Sequence, residues 1–343
     1  MKGCFTALIT PFKEDGLDNE GLDRLVGYQI QSGISGILVA GTTGESPTLS
    51  WEEHYGLIKR VAEDTRGRVL CVAGTGSNNT REALDATRQA ALAGADAVLL
   101  VDPYYNGPSS HEIRREYIAP IAEANPGVQI VPYIIPGRTG AQLMPEDLAL
   151  LCRQYDNVKT VKEATGSLEN MRRTRVCCGE DFSILSGDDG MTLEMMIDPA
   201  IRAAGVISVY SNVLPGAVSD MVNAICSGDL ETARALAASL APLFNLVTVQ
   251  TTEETPLGPV ACKAKNPLAV KTLMAVLGMP SGDCRRPLGR LTRAGMDLLI
   301  NAGRKVYDSA PQLFEPLAET FDVDVEARLN DPKYQEGLYY EEY

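Results

Sequence analysis

Short apolar runs alternate with amphipathic stretches along the first two thirds of the chain. The runs are almost continuously apolar, as in strands that are buried on both faces. The stretches between them place apolar residues three or four positions apart, which is typical of helices, as at 22–32, 51–65 and 81–92. The candidate strands lie at residues 4–9, 36–40, 69–73, 97–101, 129–134, 158–162, 182–186 and 205–209.

Eight strand–helix units predict an α/β fold with a parallel sheet covered by helices. Eight is the number that a (β/α)8 TIM barrel requires, and an open doubly wound sheet is the alternative. Ser50 and Asn79 stand before amphipathic stretches and are candidate helix N-caps.

The chain continues beyond the eighth strand for longer than one barrel unit needs. We predict a barrel over residues 1–225 and a C-terminal helical subdomain over 226–303, with helices near 233–243, 269–277 and 288–299. Residues 304–343 form an acidic, Tyr-rich extension with ten acids, four bases and five of the 13 tyrosines. Prolines at 311, 316 and 332 limit helices there to short pieces. We expect this extension to lie over the body or over a neighbouring subunit.

Composition narrows the classes of function. The net charge of −14 argues against nucleic-acid partners and against anionic membrane surfaces. No apolar run reaches the roughly 20 residues of a membrane span, and the leading segment has too short an apolar run for a secretory signal. Eight cysteines without a C-x-x-C pair, and only two histidines, predict reduced thiols in the cytoplasm and no metal site.

Hydroxyls and glycines are concentrated where the predicted strands end, together with one Lys and one Arg. In a barrel these ends form the functional face. The segments are 41–45 (GTTGE), 74–77 (GTGS), 103–106 (PYYN), 133–140 (YIIPGRTG), 162–166 (KEATG) and 186–189 (SGDD).

Lys162 is the leading candidate for chemistry. Lys159 and Lys162 are three positions apart on a strand, so their side chains point to opposite faces. If Lys162 faces the interior, loss of hydration lowers its pKa and leaves a neutral amine able to form a Schiff base with a ketone. The alternative is a lysine that reaches solvent or pairs with Glu163.

Tyr133 and Tyr105 could pass protons at the mouth of the barrel, with Thr42 and Thr43 supplying further hydroxyls. Tyrosine also lines many pockets without taking part in chemistry.

The GTTG segment could bind a small carboxylate through backbone amides, or it could be only a tight turn. Arg138 could hold a substrate carboxylate through its planar fork, or it could be a surface residue. Asp188 and Asp189 suggest a helix cap more than a metal site.

Taken together, these segments resemble the dihydrodipicolinate synthase / N-acetylneuraminate lyase family of pyruvate-dependent class I aldolases. The resemblance runs in order from about residue 3 to about residue 301 and includes 205–208 (GVIS). It implies a barrel with C-terminal helices, a homotetramer built as a dimer of dimers, and no metal or organic cofactor.

The resemblance also implies roles for individual residues. Lys162 matches the lysine that forms a Schiff base with pyruvate, and Arg138 matches the residue that binds the carboxylate of the aldehyde partner. The other matches are a proton relay and pyruvate contacts, namely Tyr133, Thr42 and Tyr105 for the relay, with Tyr105 reaching a neighbouring subunit's site, and Thr43 and Ile207 for the contacts.

Arg138 favours L-aspartate 4-semialdehyde as that partner, which implies a lyase of lysine and diaminopimelate biosynthesis. Two departures from the family pattern bear on the aldehyde partner and not on the Schiff-base chemistry: Ile134 replaces a common Asn, and Gly107 replaces a common basic residue. A keto-deoxy sugar acid, 4-hydroxy-2-oxoglutarate or sialic acid is the alternative substrate, and a non-catalytic keto-acid or lysine sensor is the more distant one.

A second set of residues falls where lysine-inhibited members of the family bind lysine at a subunit interface. The resemblance therefore suggests feedback inhibition, although Trp51 and Glu82 could simply lie on helix faces. The set comprises Ser46, Trp51, His54, Asn78, Glu82 and Tyr104.

Overall fold

Eight parallel strands close into a barrel in the computed structural model, which describes residues 1–14 and 16–342. They are numbered β1 to β8 in chain order. Their bounds are Gly3–Ala7, Gly36–Val39, Leu70–Gly74, Ala97–Val101, Gln129–Ile134, Thr160–Glu163, Ser183–Ser186 and Gly205–Ser208.

The first strand closes the barrel because it is paired on both sides. Phe5 lies opposite Gly36 of β2 and opposite Ile207 of β8, in parallel register. An open doubly wound sheet would leave β1 and β8 unpaired with each other, so the barrel prediction is confirmed.

Alternation along each strand divides the apolar side chains between two cores. On β5, Val131 and Tyr133 point into the barrel, whereas Ile130 and Ile134 pack against the outer helices. The inner core is small because only one side chain in two reaches it.

Helices follow the strands and cover the barrel. Ser50 caps its helix reciprocally with Glu53, and the side chain of Asn79 accepts from the backbone N–H of Arg81, as their positions predict. The covering helices are Asn19–Gln31, Trp51–Thr65, Thr80–Ala93, the helical segment 110–124, Pro145–Gln154, Leu168–Cys178, Thr192–Ile197 and Pro215–Ser227.

The C-terminal part differs from the sequence prediction in two places. A β-hairpin of Thr248–Thr255 and Gly258–Lys265 stands where the sequence predicts only helices. The last helix of the subdomain begins at Arg293, because Leu291–Thr292 forms a short strand and Thr292 caps the helix. That helix continues to Ser309, so residues 303 and 304 lie inside it. The other helices in this part are Leu230–Phe244 and Leu268–Val276.

The C-terminal extension packs against the body of its own chain. Its short helices are Glu315–Phe321 and Val325–Asn330, and Tyr339–Tyr340 pairs with Leu291–Thr292. The ring of Phe321 is buried and packs edge-to-face with the ring of Tyr28, with 5.2 Å between the two ring centroids. Within the described chain, no helix has the length and apolar character needed to cross a membrane.

Candidate active site

A cavity of about 210 Å³ opens at the carboxyl ends of the barrel strands. Both hydroxylic and apolar side chains line it, so it can hold a small polar molecule. The lining residues are Ala40, Gly41, Thr42, Ser46, Pro47, Gly74, Gly76, Leu99, Val101, Tyr104, Tyr133, Ile135, Arg138 and Thr139.

Lys162 lies beside Tyr133 in the interior of the barrel. The two residues face each other in the register of β5 and β6, so their side chains share the inner face. The Lys162 ammonium nitrogen Nζ lies 4.4 Å from the centroid of the Tyr133 ring. Lys162 does not itself line the cavity; the ring of Tyr133, which does, lies next to its Nζ. Lys159 occupies the opposite side, where its Nζ donates to the carbonyl of Cys152.

The environment of Lys162 favours a neutral amine. The pKa of its amine is lowered from 10.5 to about 7, mainly by burial; the negative charge of Asp189 opposes this effect and the positive charge of Arg138 adds to it. The pairing with Glu163 that the sequence left open does not form, because Glu163 accepts from Thr165 and Asn170 instead. A substantial fraction of Lys162 is therefore a free nucleophile near neutral pH.

Tyr133 shares a hydrogen bond with Thr42, which follows β2. Burial raises the pKa of Tyr133 to about 12, although Arg138 and the bond to Thr42 partly oppose this effect. The phenol is thus protonated at neutral pH and can donate a proton to a group bound beside Lys162.

Asn266 connects two sides of the site and was not identified from the sequence. Its side-chain Nδ2 donates to Thr43 Oγ1 at 2.9 Å, and its carbonyl accepts from Arg138 Nη2 at 3.1 Å. Its Oδ1 is buried without a hydrogen-bond partner among the described residues. It lies between the unpredicted hairpin and the next helix, so no local pattern in the sequence marked it.

Arg138 lies on a single helical turn, Pro136–Thr139, at the wall of the cavity. Burial lowers the pKa of its guanidinium, but the value of an ordinary arginine is so high that the group stays charged. The cavity therefore presents one fixed positive charge on its wall and one neutral amine behind Tyr133. This combination suits a substrate that has both a carbonyl and a carboxylate.

The comparisons with known proteins decide the family. The model of the dihydrodipicolinate synthetase family matches residues 1–301. The chain belongs to this family. It is 42% identical over 288 residues to the 4-hydroxy-tetrahydrodipicolinate synthase of Geobacter sulfurreducens. The aligned region covers 84% of this chain and 92% of the relative.

Solved structures give the same family. A 4-hydroxy-tetrahydrodipicolinate synthase from Methylacidiphilum fumariolicum matches with a TM-score of 0.83 and 35% identity, over 92% of this chain and 99% of that one. A dihydrodipicolinate synthase from Cyanidioschyzon merolae with lysine bound matches with a TM-score of 0.79 and 33% identity, over 89% of this chain and 98% of that one.

Four of the seven residues that the family resemblance assigns to catalysis or substrate binding lie outside the cavity lining, namely Thr43, Tyr105, Lys162 and Ile207. Tyr105 is 92% exposed and has a left-handed backbone with φ of 76°. It does not meet Tyr133 within one chain, and its neighbour Tyr104 lines the cavity instead. Ile207 is buried in the inner core with Phe5 and Tyr133.

The adjacent acids after β7 have structural partners. Asp189 is buried and accepts from the backbone N–H groups of Val209 and Tyr210, at the start of a short helical turn. Asp188 accepts from the N–H of Gly190. Among the residues that the structure describes, no group of three or more His, Cys, Asp or Glu side chains is arranged to hold a metal ion.

Five of the residues that the family resemblance assigns to lysine binding fall into two groups. Ser46 Oγ lies 3.0 Å from His54 Nε2, and the rings of Trp51 and His54 are 5.1 Å apart. Burial lowers the pKa of His54 to about 4, so this ring is neutral. Asn78 and Tyr104 line a second cleft, on the other side of Tyr104 from the cavity.

Glu82 stands apart from these contacts. Its carboxylate accepts from Ser77 Oγ at 2.6 Å, beside the second cleft. Its negative charge helps to raise the pKa of Tyr104.

Proposed function

We propose that this chain condenses pyruvate with L-aspartate 4-semialdehyde to give 4-hydroxy-tetrahydrodipicolinate, a step of lysine and diaminopimelate biosynthesis. The observation that carries the proposal is the desolvated amine of Lys162 beside the protonated phenol of Tyr133. Membership of the family and the names of the curated relatives support the same reaction.

The first half of the reaction forms an enamine on Lys162. Its neutral amine adds to the C2 carbonyl of pyruvate, and Tyr133 protonates the carbinolamine oxygen, which leaves as water. Thr42 shares a hydrogen bond with Tyr133 and also lines the cavity, so it connects the phenol to the mouth of the cavity. The Tyr133 phenolate left by that protonation then takes a proton from C3, which gives the enamine and restores the phenol. The imine is the electron sink, so the proposed chemistry needs no metal or organic cofactor.

The second half forms the carbon–carbon bond. The enamine C3 attacks the aldehyde carbon, and the Tyr133 phenol donates a proton to the aldehyde oxygen. The amino group of the semialdehyde then displaces Lys162 from the imine carbon, which closes the ring and returns the free amine. Arg138 binds the carboxylate of the semialdehyde, with Thr43 and Ile207 contacting pyruvate.

Borohydride trapping tests the first half. Incubation with pyruvate and borohydride should add one reduced pyruvate to Lys162, detected by peptide mass spectrometry. Lys159→Met is the matched control, because it removes a neighbouring lysine that faces away from the barrel interior. It should keep the adduct, whereas Lys162→Met should lose it. Absence of an adduct in the folded wild-type protein would exclude the whole class of reaction.

A coupled assay with aspartate semialdehyde tests the second half. Arg138→Ala should mainly raise KM for the semialdehyde, while Lys162 should still form the adduct with pyruvate and borohydride. Trapping without turnover of the semialdehyde would instead indicate a pyruvate aldolase for a keto-deoxy sugar acid, 4-hydroxy-2-oxoglutarate or sialic acid.

Tyr105 and the oligomeric state belong together in the proposal. We infer a cytoplasmic homotetramer, a dimer of dimers, in which Tyr105 of one subunit completes the relay of its neighbour. The exposure of Tyr105 supports this, because the residues that the structure describes leave 92% of this large aromatic side chain uncovered. Light scattering should give four copies, and Tyr105→Phe should lower kcat without changing that number. A fully active monomer would exclude the shared relay.

Lysine inhibition is the remaining part of the proposal. The lysine-bound relative and the proximity of Ser46, His54 and Tyr104 support an inhibitor site at a subunit interface. Lysine should lower the rate of condensation, and Glu82→Gln should weaken that effect without changing the rate in its absence. Unchanged inhibition in the variant would place the ammonium of lysine elsewhere.

A further inference from the structure

The turn after β2 has a strained backbone and carries two of the hydroxyls of the site. Ala40 and Glu45 adopt left-handed φ angles of 53° and 57°, which non-glycine residues rarely adopt. Thr42 and Thr43 lie between them. Residues in such regions persist only where the surroundings hold them in place, so the turn needs an anchor outside itself.

A buried ion pair supplies that anchor. Glu45 Oε1 lies 2.6 Å from Lys271 Nζ, and their side chains are 0% and 1% exposed. The second oxygen of Glu45 accepts from the backbone N–H of Arg285 at 2.8 Å. Lys271 and Arg285, which bind the Glu45 carboxylate, both belong to the C-terminal subdomain and lie more than 220 positions after Glu45 in the chain.

Lys271 is itself held on several sides. Its Nζ also donates to the carbonyl of Thr10 at 3.0 Å and lies 4.4 Å from the ring centroid of Phe12. Thr10 Oγ1 donates to the carbonyl of Gly44 at 2.7 Å, so the same cluster contacts the turn a second time. A Cβ on Gly44 would lie 3.2 Å from Leu8 O and from Ala40 Cα, which leaves the turn little room to move.

The helix of Lys271 begins beside the catalytic contacts. It spans Leu268–Val276 and follows Asn266, whose side chain donates to Thr43 and whose carbonyl accepts from Arg138. Displacement of this helix would therefore act on the turn through Glu45 and on Arg138 through Asn266.

We propose that Glu45 and Lys271 are positioning residues, whose buried ion pair fixes the 40–45 turn so that Thr42 meets the Tyr133 phenol and Thr43 meets pyruvate. The inference rests on the proposed function, since it assigns the pair a part in the same reaction. Neither side chain lines the cavity, so both act through the turn.

Three variants and one matched control test the inference. Glu45→Gln and Lys271→Met each leave one buried charge without its partner, which destabilises a fold strongly. The double variant Glu45→Gln/Lys271→Met removes both charges and should recover thermal stability relative to either single variant. Arg175→Met is the control, because Arg175 is a buried cation that donates to backbone carbonyls such as those of Phe182 and Ile201, on another part of the barrel.

The readouts are the rate of borohydride trapping by pyruvate, kcat and KM for pyruvate, and the melting temperature. The double variant should melt near the wild type yet lose on the order of 10- to 100-fold in kcat/KM for pyruvate, because small misplacements of catalytic groups are costly. Arg175→Met should melt earlier with wild-type kinetics at temperatures where it is folded. Loss of activity in step with loss of stability across all four proteins would overturn the positioning role.

The outcome separates this inference from the proposed function. If wild-type protein forms the Lys162 adduct and the folded double variant forms it at the same rate, the ion pair has no positioning role. If wild-type protein forms no adduct, the proposed function fails first, and the positioning role of the ion pair fails with it.

Discussion

Replacing Lys162 by Met should stabilise the folded protein while abolishing imine formation. The amine lies in the barrel interior beside Tyr133, and burial lowers its pKa from 10.5 to about 7. This lowering means that the folded state disfavours the charged form by about 5 kcal/mol relative to water. Methionine is of similar length and carries no charge, so it avoids this cost.

The gain should depend on pH in a defined direction. Below about pH 7 both folded and unfolded chains are protonated at Lys162, so the cost is fully present. Above that, the folded amine loses its proton while the unfolded one keeps it up to 10.5, so wild-type stability rises with pH and the advantage of the variant shrinks. The difference in unfolding free energy should be about 4 kcal/mol near pH 7 and about 2 kcal/mol near pH 9.

Thermal unfolding of wild type and variant at both pH values measures this difference. For a chain of 343 residues the variant should melt about 6 °C higher near pH 7 and about 3 °C higher near pH 9. Protein concentration is held fixed, because subunit association also contributes to apparent stability. Equal melting shifts at the two pH values, or a variant less stable than wild type near neutrality, would refute a desolvated amine at Lys162.

Three further predictions concern the site and the C-terminal extension. The rate of pyruvate trapping should rise with pH through about 7, because Lys162 must lose its proton before it attacks; a flat profile from about pH 6 to pH 9 would contradict this. Tyr133→Phe removes the phenol that bonds Thr42 and should lower kcat by about 10²- to 10⁴-fold in steady-state assays, with the fold retained by circular dichroism; an unchanged kcat would exclude the phenol as proton donor. Phe321→Ala removes a buried ring packed on Tyr28 and should lower the unfolding free energy by about 3–5 kcal/mol in denaturant titrations with kcat unchanged, whereas an unaltered unfolding midpoint would mean that the extension adds no stability.

The barrel and the Lys162–Tyr133 pair were predictable because their signals are local. Most of the strands are short apolar runs that end at or lead into Gly or a hydroxyl residue, and parallel strands bring those ends to one face. Two-residue alternation also predicts that Lys159 and Lys162 point apart, and the structure agrees.

The errors lie where packing outweighs local pattern. The hairpin of Thr248–Thr255 and Gly258–Lys265 is polar on its outer face, and it interrupts a region that the sequence predicts as helical. Two strands alone are marginal in water, so this hairpin depends on its inner face, where Val249 is buried against the body. The helix predicted from residue 288 begins at Arg293 because Leu291–Thr292 pairs with the C-terminal Tyr339–Tyr340. No window of sequence contains both strands of that pair.

Sequence alone determined which chemical groups stand at the ends of the strands, since residue type and two-residue alternation are local properties of the chain. Only the tertiary structure decided the state of those groups. The pKa of Lys162 falls because surrounding strands exclude water, and Thr43 and Glu45 are held by Asn266 and Lys271 from a distant subdomain. Desolvation and long-range contact arise from the packing of the whole chain, and therefore no single stretch of the sequence carries them.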